Sequence, residues 1–224
     1  MEKTAAPAAG RPRKNDRQKT KDDILVVATA EFGEYGLAGA RVDAIAEKTK
    51  TSKRMIYYYF GGKEGLYLAV LEKAYRRTRS REDDLQLAIM PPAEALRTLI
   101  YSTFDHDEQN PDFIRIVSSE NINNAMHMRR SAELSDLNIS VIRVLDDILC
   151  RGYAQGVFCR QISSLDLHLM ISALCFFRAS NRHTFGTLFH CDLSQPDIYE
   201  RHRTMAADMI LSYLTSASIP HDGD

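Results

Sequence analysis

The segment from Thr51 to Glu64 sets Tyr57, Tyr58 and Tyr59 beside Phe60 and adds Lys53, Arg54 and Lys63 within one short stretch. Tyrosine hydroxyls and Lys or Arg side chains donate hydrogen bonds to phosphate oxygens. The chemistry on offer is therefore that of a surface laid against a nucleic-acid backbone. Lys53 and Arg54 can also donate to guanine O6 and N7, and Thr51 or Ser52 can serve either kind of base. Tyr57, Tyr58 and Lys63 are the candidate phosphate contacts. Ile56 and Phe60 are expected to anchor the segment from behind, with Tyr59 partly inside.

Other residue types could do chemistry, but their spacing argues against it. Asp105-His106-Asp107-Glu108 has the ingredients of a catalytic or metal cluster. It stands between two helical patterns beside Asn110-Pro111, so a solvated loop is expected. Gly-rich phosphate loops, nucleophile elbows and H-E-x-x-H are absent from the sequence. His190-Cys191, His168 and Cys175 could serve a metal or redox sensor, yet their spacing fits no known site. Scattered core cysteines are the expectation, with no metal and no cofactor. A redox- or metal-responsive regulator is the alternative reading, and a helical enzyme is another.

The elements that must carry the basic, tyrosine-rich segment are helices. Ile24, Ala28 and Phe32 recur at i, i+4, i+8, which predicts a helix over about Lys19 to Tyr35 with Gly36 as its left-handed cap. Val42, Ile45 and Ala46 form the inward face of a short helix to Lys48. After a turn at Thr49-Lys50-Thr51, Ser52 is a good N-cap for a third helix to about Tyr59. Two short helices joined by a tight turn read as helix-turn-helix. Its second helix fits a major groove about 12 Å wide, with its N-terminal residues on base edges. Gly61-Gly62 then breaks the chain, and a fourth helix starts near Lys63.

The rest reads as a helical bundle: about Pro92–Asp105, Pro111–Asn121, His127–Tyr153, Ser164–Asn181 and Gln195–Thr215. Ser163 with Asp166, and Ser194 with Asp197, suit capping boxes. No period-2 strand stands out, so the fold class is all-α with about nine helices.

Composition is compatible with this. With 44% hydrophobic and 26% charged residues, the 224-residue chain has an ordinary globular make-up. A net charge of −1 excludes a polycation, so any DNA footprint must be local. Arg11, Arg13, Lys14, Arg17, Lys19 and Lys21 face a single acid, Asp16, between Arg11 and Lys21. Residues 1–16 are expected to be a disordered basic arm, either solubilising or reaching DNA. Residues 17–65 would form the DNA-binding domain and 66–217 the remainder. The N-terminus has no apolar signal region, and no apolar run approaches the roughly 18 residues that span a bilayer. A cytoplasmic protein with free thiols and no membrane partner is expected.

The segment resembles the recognition helix of the TetR family of bacterial transcriptional regulators. That family reads Ser-Lys-x-x-Leu/Ile-Tyr-x-Tyr/His-Phe-x-x-Lys-Glu/Asp-x-Leu. The matching residues are Ser52, Lys53, Ile56, Tyr57, Tyr59, Phe60, Lys63, Glu64 and Leu66. The likeness is specific over about Lys19 to Leu71. It implies the phosphate roles of Tyr57, Tyr58 and Lys63. It also implies a homodimer on a palindromic operator, with the last two helices as interface, and a bundle that takes a small-molecule effector. A ligand-responsive repressor is the expectation. Two positions depart from the pattern. Arg41 replaces a usual Thr and cannot cap the second helix, so it is expected to reach a phosphate. Arg54 replaces a common Gly on the reading surface.

Effector candidates come from polar residues on apolar faces. Phe113, Ile116, Val117 and Glu120 recur at i, i+3, i+4, i+7. Met170, Leu174, Phe177 and Asn181 share another face. A buried acid or amide needs a partner, either an effector or an internal hydrogen bond. His127 and Arg178 are further candidates.

Overall fold

The computed structural model describes residues 14–217. They form nine α-helices and, among the described residues, no strand. Two compact units divide between Val70 and Leu71. The expected disordered arm falls mostly on residues 1–13, outside the described residues; Lys14 to Asp16 are already helical.

The first unit holds α1 (Lys14–Gly39), α2 (Val42–Lys48), α3 (Lys53–Phe60) and the start of α4 (Lys63–Asp84). Ile24, Ala28 and Phe32 of α1 are buried with Val42, Ile45, Ile56, Leu66 and Tyr67. Phe32 and Tyr67 meet edge to face, with centroids 5.1 Å apart. Gly36 has φ 64° and ψ 176°, so it kinks α1 and lets a last turn run on to Gly39. The α2–α3 turn closes as a Schellman motif: Thr51 N–H donates to Ala46 O and Lys50 N–H to Glu47 O. Lys50 takes the left-handed position there, φ 52°, usually left to glycine.

The second unit is built around α5 (Pro92–Gln109), which packs against α6 (Pro111–Ile122), α7 (Ala132–Ala154), α8 (Ser164–Phe189) and α9 (Pro196–Thr215). Leu96, Ile100, Leu145, Ile148, Ile171 and Leu214 lie in one buried cluster. Proline at the start of α5, α6 and α9 suits the first helical position, where no N–H is needed.

Several boundaries differ from the sequence reading. Asp105 to Glu108 are the last turn of α5, not a solvated loop, and His106 and Asp107 are buried. Asp105 pairs with Arg203 at 2.6 Å and accepts from Tyr199, while Glu108 pairs with Arg178. These partners lie on α8 and α9, far along the chain, so local spacing could not reveal them. α7 begins at Ala132 rather than His127, because Asn124 and Ala125 adopt positive φ and a 3-10 turn follows at Met128–Arg130. Ser131 is its N-cap, accepting from Leu134 N–H at 3.2 Å. α8 continues past Asn181 to Phe189, since neither Gly nor Pro interrupts it before Gly186. The Ser163 cap is present, with Asp166 N–H donating at 3.0 Å. Ser194 instead bonds Asp192, and Gln195 precedes α9. Gly152, inside α7, lets Phe158 pack close: a Cβ there would stand 2.0 Å from the Phe158 ring.

Candidate nucleic-acid interface

α3 is held at both ends and from behind. Ser52 Oγ accepts from Met55 N–H at 3.2 Å, capping the N-terminus. Gly61 closes the other end at φ 75°, its N–H donating to Tyr57 O at 2.8 Å. Ile56 is fully buried, whereas Phe60 is only half-buried. Gly65 is equally constrained: a Cβ there would sit 1.9 Å from Phe60 O, so the α3–α4 approach excludes any side chain.

This mounting turns Ser52, Lys53, Arg54, Tyr57 and Tyr58 outward, all exposed, with Tyr58 more open than Tyr57. Thr51 is half-buried in the turn. Lys53 Nζ pairs with Asp43 Oδ2 at 3.1 Å, a pair exposed on both sides and easily exchanged for another anion. Lys63 Nζ donates to Ala38 O at 3.0 Å, so its charge sits at the end of α1. Tyr59 is half-buried, stacked edge-on with Tyr58 at 5.4 Å.

Arg41 has no side-chain cap to offer α2, and its side chain is exposed. The capping task passes to Glu31 of α1, which was missed in the sequence. Its Oε1 accepts from Arg41 N–H at 3.2 Å and its Oε2 from Lys48 Nζ at 2.9 Å. The Lys48 hydrogen bond, reinforced by the Arg41 N–H, holds the Glu31 carboxyl below its ordinary pKa against burial. The signal was available: Glu31 follows Ile24 by seven residues and Ala28 by three, an acid on an apolar stripe.

The effector candidates separate into two places. Glu120 is buried at the end of α6, where its carboxylate takes three contacts: His127 Nδ1 at 2.8 Å, His127 N–H at 3.2 Å and Met128 N–H at 3.1 Å. His127 and Glu120 thus hold the α6–α7 connection. Val117 is half-buried, and Phe113 meets Tyr75 and His106 edge-on at 5.4 and 5.2 Å. Leu174, Phe177 and Asn181 instead border a concavity of about 180 Å³ on the α8–α9 surface. None of Phe113, Val117, Glu120 or His127 lines it. Phe177 is exposed, and Asn181 Nδ2 donates to Phe177 O of its own helix at 3.0 Å. Arg178 is tied up beneath, with Nη2 on Leu193 O at 2.6 Å.

Arg79 lies in the charge-rich stretch from Arg76 to Asp84 and is nevertheless buried. Its Nη1 reaches both Glu82 oxygens at 2.6 Å and its Nη2 reaches Asn138 at 3.3 Å, while its buried Nε has no acceptor. Nearby in the fold, burial pushes the Tyr75 phenol up, with Arg79 opposing that shift. For the metal or redox alternative the geometry offers little. No group of three or more His, Cys, Asp or Glu residues suited to a metal occurs among the described residues. Burial pushes the Cys175 thiol up, away from thiolate reactivity. No helix among the described residues is long and apolar enough to cross a membrane.

Comparison with known proteins agrees with this geometry. Residues 24–70 match the family "Bacterial regulatory proteins, tetR family", and residues 92–210 match "Tetracyclin repressor-like, C-terminal domain". The HTH-type transcriptional repressor NicS of Pseudomonas putida is 35% identical over 89% of this chain and 94% of its own. The HTH-type transcriptional repressor SCO4008 of Streptomyces coelicolor is 28% identical over 71% of this chain and 78% of its own. The solved transcriptional regulator SCO4942, also from Streptomyces coelicolor, shares the fold with a TM-score of 0.65 at 24% identity, covering 87% of this chain and 98% of that one. The chain therefore belongs to the TetR family of bacterial transcriptional regulators, DNA-binding proteins that act as dimers and are not enzymes.

Proposed function

We propose that this protein is a homodimeric, ligand-responsive repressor that binds a palindromic operator in the cytoplasm through α3. The observation that carries the reading is the outward face of α3, where Lys53, Arg54, Tyr57 and Tyr58 stand exposed on a helix capped at both ends. In this reading Thr51, Ser52, Lys53 and Arg54 meet base edges. Arg41, Tyr57, Tyr58 and Lys63 hold phosphates. Repression is supported by the two relatives above, both named as repressors.

Dimerisation through α8 and α9 is supported by an apolar row with no cover. Met170, Phe177, Phe185 and Leu188 recur along α8 and Met205, Met209 and Tyr213 along α9, all exposed. Such a contiguous apolar face marks an interaction surface, and a second copy brings two reading helices to half-sites about one helical turn apart.

For the effector, the neighbourhood of Tyr75, Arg79, His106 and Phe113 is the better-supported site. It combines aromatic rings with a buried guanidinium whose Nε has no acceptor. Val117 belongs to this set. Glu120 and His127 position the connecting loop, and Leu174, Phe177 and Asn181 serve the dimer face. An effector that binds the non-DNA state better shifts the population away from the operator.

Selection from a random-sequence duplex pool tests the reading. Tyr57→Ala and Lys63→Ala should weaken binding to all duplexes alike, while Lys53→Ala or Arg54→Ala should change the selected sequence. Undiminished binding to the selected duplex with all four changes combined would refute it.

A further inference from the structure

The basic start of α1 carries cations that the α3 surface does not include. Arg17 and Lys21 lie four residues apart on one helical face. That face continues into Ile24, Leu25 and Ala28, the stripe buried against the rest of the first unit. Arg17 is exposed and Lys21 half-buried, so the inward face of α1 changes from apolar to cationic where it emerges into solvent.

The charges here are sorted. Lys19 has Asp16 three residues before it and Asp23 four after, the spacing of helical ion pairs. Arg17 and Lys21 have no carboxylate three or four residues away on either side. A run serving solubility alone has no need to keep one face clear of acids.

The direction of that face is set by a contact. Lys21 Nζ lies 5.4 Å from the centre of the Tyr59 ring, and Tyr59 in turn meets Tyr58. The cationic face is thereby continuous with the tyrosine-bearing side of the recognition helix.

We propose that Arg17 and Lys21 form a second phosphate-contacting surface, extending the footprint of α3 onto the backbone flanking the bases it reads. The partner is duplex DNA, recognised by charge and not by sequence. The inference rests on the DNA-binding reading and adds to it a longer, salt-sensitive footprint.

The test uses the full-length protein and a duplex that it selects from a random-sequence pool. That duplex is made once with minimal flanks and once extended by about one helical turn at each end. Arg17→Gln should weaken binding to the extended duplex more than to the short one. The slope of log K against log salt should flatten by about 0.9 for each phosphate that is no longer neutralised, with base preference unchanged. Lys21→Gln should act the same way. Lys21→Arg, which keeps the charge over Tyr59, should behave as wild type and so distinguishes an effect of charge from one of packing. Wild-type affinity and salt slope for both Gln variants on the extended duplex would overturn the proposal. If the wild-type protein selects no duplex at all, the DNA-binding reading itself fails.

Discussion

α3 and α8 each present more than one aromatic ring to solvent, and they do so for opposite ends. α3 exposes Tyr57 and Tyr58 among Lys53 and Arg54, whereas α8 exposes Phe177, Phe185 and Phe189 along with Leu188. Phenolic oxygens and cations are donors that can replace water at a phosphate. Bare phenyl rings have only area to offer, and only another apolar surface rewards them. The supports differ as well. α3 has eight residues and depends on its caps, on Ile56 and on Gly65 for its pose. α8 has 26 residues, and Leu167, Ile171 and Cys175 are buried along its inner side.

Breaking the α8 surface should have the largest effect. Phe177→Glu with Phe185→Glu should yield a folded monomer by light scattering. Operator affinity should fall on the order of 100-fold or more as the second half-site is lost. A dimeric double variant would mean that the apolar row serves something else.

Gly65→Ala comes next and strikes α3. A Cβ 1.9 Å from Phe60 O forces the backbone apart. It should cost about 1–3 kcal/mol of stability, read as a lower melting temperature. Base recognition should suffer with it. Lys50→Gly should act in the opposite direction, stabilising by about 1 kcal/mol, because it relieves a left-handed lysine.

Glu31→Gln sharpens the contrast through pH. The Glu31 carboxyl is held below its ordinary value by the Lys48 hydrogen bond and the Arg41 N–H. The unfolded chain therefore binds its proton more readily than the folded one. The stability Glu31 contributes is present above the unfolded carboxyl pKa and is lost as pH falls through the lower, folded one. The variant should lose about 1 kcal/mol at neutral pH. Denaturant midpoints of wild type and variant should converge on acidification. A constant gap across that range would show that Glu31 acts by shape alone.

Asp43→Ala should have the smallest effect. Its pair with Lys53 is exposed on both sides, so stability should move by less than about 0.5 kcal/mol. Freed from Asp43, Lys53 should bind duplex DNA somewhat more tightly in a fluorescence titration. Weaker binding would mean that Asp43 aims Lys53 at its base.

The capped, exposed face of α3 was legible because its determinants are local. Ser52 three residues before Met55, Ile56 between the cations and the tyrosines, and Gly61 after Phe60 lie within one turn or two of what they act on. Position in the sequence then nearly amounts to position in space. The same applies to Ser163 and Asp166 at the start of α8.

The bundle was less legible because its polar residues find partners far along the chain. Asp105 to Glu108 resembled a wet loop, yet Asp105 and Glu108 tie the end of α5 to Tyr199, Arg203 and Arg178, and His106 and Asp107 are buried. Arg79 stands in a charge-rich stretch of the sequence, yet it is buried and meets Glu82 and Asn138. Phe177 and Asn181 shared a face whose periodicity was plain, but periodicity does not say whether a face points inward or outward. By itself the sequence determined that the chain is helical, the caps at Ser52 and Ser163 and the residue types displayed on α3, since a hydrogen-bonded turn spans only three or four residues. Tertiary structure alone decided that Glu31 caps α2, that Glu120 is satisfied by His127 and that α8 turns its phenylalanines outward. Those outcomes depend on which distant groups come within hydrogen-bonding or packing distance once the chain has closed on itself.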